Sequence, residues 1–107
     1  MFDVNDVFNK MKLRLTSEKA SKINAIYLFD IGGVNGEKWS VDLTKKSDWV
    51  IEGEGSVKAQ CTIIIDKSDD LISLASGKIN PTMAFMQGKI KVKGNVSLAM
   101  KLQALFF

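Results

Sequence analysis

Ile23-Asn-Ala-Ile-Tyr-Leu-Phe-Asp-Ile31, Gly32-Gly-Val-Asn-Gly36 and Trp39-Ser-Val-Asp-Leu43 form the stretch that decides the fold. The first run is apolar, and its Ile26, Tyr27, Phe29 and Ile31 favour a strand. The glycine-rich pentapeptide is turn chemistry. On the return, Trp39, Val41 and Leu43 alternate with Ser40 and Asp42, the pattern of a half-buried strand. Two strands joined by a turn, with one apolar face, need something to cover that face.

Upstream, Val4, Val7, Phe8, Met11 and Leu15 recur at helical spacing and supply a cover. Asp3 caps this helix, with Asp6 in its first turn. Residues 16–22 read as a polar break. Downstream, Trp49-Val50-Ile51 reads as a short third strand, followed by a loose Glu52-Gly-Glu-Gly-Ser56 loop. A fourth strand covers about 58–66, with Ala59, Cys61, Ile63 and Ile65 on one face. Ser68 caps a short helix carrying Leu71, Ile72, Leu74 and Ala75, and Gly77 ends it. Asn80 and Pro81 open a helical turn through Met86 that Gly88 breaks. Lys89-Ile90-Lys91-Val92-Lys93 alternates as a fifth strand, and Gly94-Asn95 leads into one last helix over about 96–107. The expected fold is therefore α+β: a mixed five-stranded sheet covered mainly on one face by helices. No internal repeat and no linker interrupts the 107 residues, so they read as one domain.

Composition excludes several chemistries. The absence of histidine removes the Ser-His-Asp and Cys-His nucleophile pairs and the imidazole metal ligands. Cys61 alone makes neither a redox pair nor a thiolate zinc cage. The glycine pairs fit no phosphate-binding motif, and Asp69-Asp70 at a helix start complements the dipole. The expectation is a non-enzyme with no catalytic residues, no metal and no cofactor. Phe2-Asp3-Val4-Asn5-Asp6 lacks the pattern of a secretory leader, and no apolar run approaches the roughly 18 residues of a membrane span. A cytoplasmic protein is expected.

Charge is unevenly spread. Residues 1–70 hold ten Lys and Arg against twelve Asp and Glu, whereas residues 71–107 hold five Lys and no acid. That basic third suits an anionic headgroup, a coenzyme A phosphate, a nucleic-acid backbone, or simple solvation. Lys89, Lys91 and Lys93 have no interleaved aromatic residue on which a base could stack, and lysines commonly protect edge strands, so no nucleic-acid partner is expected.

The last helix is apolar nearly all round. Leu98, Leu102 and Leu105 make one stripe, and Val96, Met100 and Phe107 fall almost opposite. Such a helix is buried in a core or against a partner, or it closes an apolar cavity. Met83, Phe85, Met86 and Met100 are core filler or a deformable apolar wall.

Gly77-Lys78, Asn80-Pro81, Ala84-Phe85, Gln87-Gly88-Lys89, Lys91, Gly94-Asn95 and Leu98-Ala-Met-Lys-Leu102 carry a strong resemblance to the sterol carrier protein type 2 family of lipid-transfer domains. Trp39-Ser-Val-Asp42 and Ala59-Gln-Cys-Thr-Ile63 fit that family's second and fourth strands; residues 44–58 match least. The resemblance implies an apolar tunnel beneath the C-terminal helix that holds a fatty acid, a fatty acyl-coenzyme A or a sterol without covalent chemistry. It places Met11, Leu15, Tyr27, Phe29, Trp39, Val41, Met83, Phe85, Met86, Gln87, Leu98, Met100, Leu102, Leu105 and Phe106 along the tunnel. Gln87 is the polar member, and buried there it needs a hydrogen-bond partner. Transient contact with anionic membranes fits the basic third. Peroxisomal residence is common in that family, but Leu105-Phe106-Phe107 is not a Ser-Lys-Leu-type ending. The alternative is a protein-interaction module whose apolar last helix docks on a partner, with Phe106 and Phe107 as anchors.

Overall fold

The computed structural model describes residues 3–32, 36–55 and 58–107. Gly33, Val34 and Asn35 of the expected turn, and Ser56 of the expected loop, lie outside the described residues.

The chain begins with α1 (Val4–Arg14), held by a capping box in which the Asp3 carboxylate accepts from the Asp6 N–H and the Asp6 carboxylate accepts from the Asp3 N–H. Its stripe is buried as expected, through Val4, Val7, Phe8 and Met11. The residues read as a polar break instead form a second helix, α2 (Ser17–Ile23). Thr16 caps its start, and Asn24 ends it in the left-handed region, with φ +46°.

Five strands follow: β1 (Ile26–Ile31), β2 (Glu37–Asp42), β3 (Val50–Glu52), β4 (Cys61–Ile65) and, later, β5 (Lys91–Gly94). They lie in the order β3-β2-β1-β4-β5. The sheet is mixed, because β1 and β4 run parallel while the other neighbours run antiparallel. Register puts Tyr27 beside Val41 and Cys61, and Phe29 beside Trp39 and Ile63. Side chains alternate across a strand, so all of these residues share one face, and all are buried. Helices cover that face. The Phe8 ring stacks on Trp39 at 4.6 Å and meets Phe29 edge-on at 5.3 Å. The opposite face carries half-buried Ile26, Leu28, Thr62 and Ile64.

Between β4 and β5 stand α3 (Ser68–Ser76) and α4 (Pro81–Met86). Lys67 occupies the cap position of α3 without a side-chain bond, so Ser68 begins the helix and does not cap it. Gly77 closes α3 at φ +82°, and Asn80 caps α4, whose first residue is Pro81. The single last helix expected over 96–107 is two short ones, α5 (Val96–Ala99) and α6 (Leu102–Phe106). The Lys101 N–H bonds to the Leu98 carbonyl and the Ala104 N–H to that of Lys101. These bonds span three residues instead of four, so the chain tightens at the junction.

Candidate functional site

The strand and C-terminal residues expected along a tunnel are packed together. Tyr27, Phe29, Trp39, Val41, Leu98, Leu102, Leu105 and Phe106 are buried, as are Met11 and Leu15 of the first helical segment. The Tyr27 hydroxyl donates to the Leu98 carbonyl oxygen at 2.7 Å, and the Phe29 and Phe106 rings meet edge-on at 6.3 Å. Burial, and secondarily the Cys61 thiol, push the Tyr27 phenol above its ordinary range; burial alone pushes that thiol up to about 11. Side chains therefore fill the layer between the C-terminal helices and the sheet.

Open space lies beside that layer. A cleft of about 400 Å³, open to solvent on one side, runs between α1, α3 and the end of the chain. From α1 come Val7, Lys10, Met11 and Arg14, spaced so that they share one helix face. From α3 come Ile72, Ala75 and Ser76. Lys78 follows α3, and Phe106 and Phe107 close the third side. The walls are mainly apolar, and the charged residues at this cleft, Lys10, Arg14 and Lys78, are all cations.

Arg14 is central to the cleft's geometry. Its Nη1 donates to the Phe106 carbonyl oxygen, and its guanidinium lies over the Phe107 ring at 6.0 Å. Phe107 in turn rests on the backbone of Gly77, where a Cβ would stand 3.1 Å from the ring. Three segments distant in sequence thus meet at one rim.

Of the residues anticipated for a binding site, Met11 and Phe106 reach this cleft. Met83, Phe85, Met86 and Gln87 do not. They are exposed, because α4 turns Pro81 and Ala84 inward. Gln87 was expected buried and hydrogen-bonded near the cavity, but it sits at the exposed C-cap of α4, lining a shallow groove with Met83, Lys78 and Lys89. Met100 is half-buried, and its sulfur accepts from the Thr82 hydroxyl at 3.3 Å. Arg14, Ile72, Ala75 and Phe107 were not anticipated. Their signal was present in part: Ile72 and Ala75 widen the apolar arc of α3 beyond the Leu71–Leu74 stripe.

Among the described residues, no group of three His, Cys, Asp or Glu side chains is placed to hold a metal ion. Nor is any helix among them long and apolar enough to cross a membrane.

Comparison with known proteins agrees with this architecture. The chain is 41% identical over 102 residues to human hydroxysteroid dehydrogenase-like protein 2, an alignment covering 95% of this chain and 24% of that one. It thus spans about a quarter of the length of that relative. Among solved structures it is similar to a sterol carrier protein domain of Helicoverpa armigera, with TM-score 0.72 and 36% identity over 94% of this chain and 84% of the other. It is also similar to sterol carrier protein 2 of Yarrowia lipolytica, with TM-score 0.75 and 28% identity over 94% and 87%. Residues 5–107 match the SCP-2 sterol transfer family over nearly the whole chain, and the protein belongs to that family.

Proposed function

We propose that this chain is a lipid-binding and transfer domain that holds one fatty carboxylate non-covalently in the cleft between α1, α3 and α6. The observation that carries the reading is an apolar cleft whose charged residues are all cationic. A hydrocarbon chain gains about 0.8 kcal/mol per methylene removed from water, so apolar walls supply affinity. Arg14 and Lys78 at the rim then favour an anionic head. The volume of about 400 Å³ lies at the lower end of the roughly 300–1,000 Å³ usual for small-molecule sites, which suits one acyl chain. Family membership and the names of the sterol carrier proteins it resembles support a lipid cargo. A fatty acyl-coenzyme A uses the same walls, with its phosphates reaching Lys78. A sterol uses the walls but gains nothing from the cations.

For the interaction-module alternative, Leu98, Leu102, Leu105 and Phe106 face inward, so Val96 and Phe107 are the large apolar side chains that the C-terminal segment exposes to a partner. We place the binding activity in the cytoplasm, where the lone Cys61 thiol stays reduced. The chain matches about a quarter of the length of the hydroxysteroid dehydrogenase-like relative, and the contribution proposed for it is lipid carriage.

The test is oleate binding by calorimetry to wild type and to Ala75→Trp, which fills the cleft from a partly exposed helical position. Saturable one-to-one uptake lost in the folded variant is expected. Uptake unchanged by the tryptophan contradicts this site.

A further inference from the structure

The face of α4 that points away from the core is apolar, which is the reverse of an ordinary surface helix. Met83, Phe85 and Met86 are 45%, 40% and 76% exposed, while Ala84 is fully buried. These are three of the six large hydrophobic side chains exposed among the described residues, gathered on one six-residue helix. Thr82 and Gln87, the other exposed residues there, are uncharged. The helix is also firmly held. Asn80 Oδ1 accepts from the Met83 N–H at 2.7 Å, and the Lys89 N–H donates to the Ala84 carbonyl at 2.8 Å. Beside it a shallow groove brings Lys78 and Lys89 next to Met83 and Gln87. Residues 71–107 contribute five lysines and no acid to the surrounding field.

We propose that α4, flanked by Lys78 and Lys89, is the face by which this protein docks on an anionic lipid bilayer, with Met83, Phe85 and Met86 entering the headgroup–acyl boundary. Apolar side chains inserted between cations are the composition of an interfacial anchor. A second copy of the chain is disfavoured, because a self-complementary contact would set two acid-free lysine grooves against each other. A specific protein partner needs fixed donors and acceptors, and this face offers Thr82 and Gln87. Lys78 belongs both to this groove and to the rim of the cleft between α1 and α3, so docking brings the cleft mouth to the membrane.

The experiment is co-sedimentation of the full chain with phosphatidylcholine vesicles with and without phosphatidylglycerol. It is paired with M86C labelled with an environment-sensitive dye; Cys61 is buried and does not compete for the label. Expected are binding to the anionic vesicles, release by salt and a blue-shifted dye emission on binding. F85S/M86S and K78E/K89E should each lower vesicle affinity roughly tenfold or more, while thermal stability holds, since these side chains are exposed. No vesicle binding overturns the proposal, as does binding that both double variants leave intact. Concentration-dependent self-association abolished by F85S/M86S also overturns it, by giving the face to a second copy. Ala75→Trp should dock normally while losing oleate, so failure of the docking face and failure of the cleft are separately readable.

Discussion

The Arg14 guanidinium donates from Nη1 to the carbonyl oxygen of Phe106, tying the last turn of α1 to the last turn of α6 across 92 positions of sequence. The same bond marks the rim of the cleft, because both residues line it. Arginine carries five donors in a planar fork, so a ligand carboxylate can be held by those that Phe106 leaves over.

Arg14→Ala should therefore weaken oleate binding by roughly tenfold to a hundredfold, the range of about 1.5–3 kcal/mol for a hydrogen bond to a charged group. Methyl oleate, which has no carboxylate, should be affected far less. Competition binding with both ligands reads the difference, and equal losses would remove Arg14 from headgroup recognition.

Tyr27→Phe should cost about 0.5–1.5 kcal/mol, because it removes the 2.7 Å bond from the hydroxyl to the Leu98 carbonyl, which keeps the bond it accepts from the Lys101 N–H. Urea unfolding of the two proteins checks this. A cost near zero would mean that the Tyr27 link between β1 and α5 contributes little.

Alkaline pH should destabilise the fold through Cys61. Its thiol is neutral when buried, and its folded pKa is pushed up to about 11 from an ordinary 9.0. The stabilisation is therefore complete below pH 9.0 and lost as pH rises from there through about 11, where the unfolded chain has given up its proton first. The raised Tyr27 phenol acts in the same direction above its ordinary 10.0. Urea midpoints measured across this window should fall, and Cys61→Ala should flatten the lower part of the decline. A C61A profile parallel to wild type would assign the loss elsewhere.

Gly94 and Gly53 separate backbone strain from collision. Both have left-handed φ, +93° and +92°. An alanine at 53 meets nothing and should cost about 1–2 kcal/mol from conformation alone. At 94 the added methyl collides with the Gln60 carbonyl oxygen, so the cost should reach about 3 kcal/mol or more. Equal losses in thermal unfolding would show that the backbone at Gln60, just before β4, yields easily.

Most of the sheet was legible because its inward residues alternate without interruption, as Tyr27, Phe29 and Ile31 do in β1 and Cys61, Ile63 and Ile65 in β4. The segment Ser17–Ile23 was not legible as a helix because it buries one residue, Ala20, and a single inward position has no period. The division of the C-terminal helix was hidden for a different reason. No glycine or proline marks Met100-Lys101, and apolar residues stand on both sides of it. For the site, sequence pointed to the largest apolar residues, yet Tyr27, Phe29 and Leu102 complete the core. The cleft instead depends on which residues fail to fill space, such as Ala75, and on a cation, Arg14, brought to the rim by tertiary contact. Hydrophobic periodicity registers neither. Likewise the outward face of α4 reads as apolar filler until Pro81 and Ala84 are seen to take the inward positions.

The central claim is that the cleft between α1, α3 and α6 holds the acyl chain. Isotope-filtered nuclear Overhauser spectra of the complex with carbon-13-labelled oleate test it most directly. Contacts from the acyl methylenes to Val7, Met11, Ile72 and Ala75, with the carboxylate end beside Arg14, are the predicted result. Contacts from the acyl chain to Ile26, Leu28 and Thr62 on the opposite sheet face, or no saturable complex at all, would contradict it.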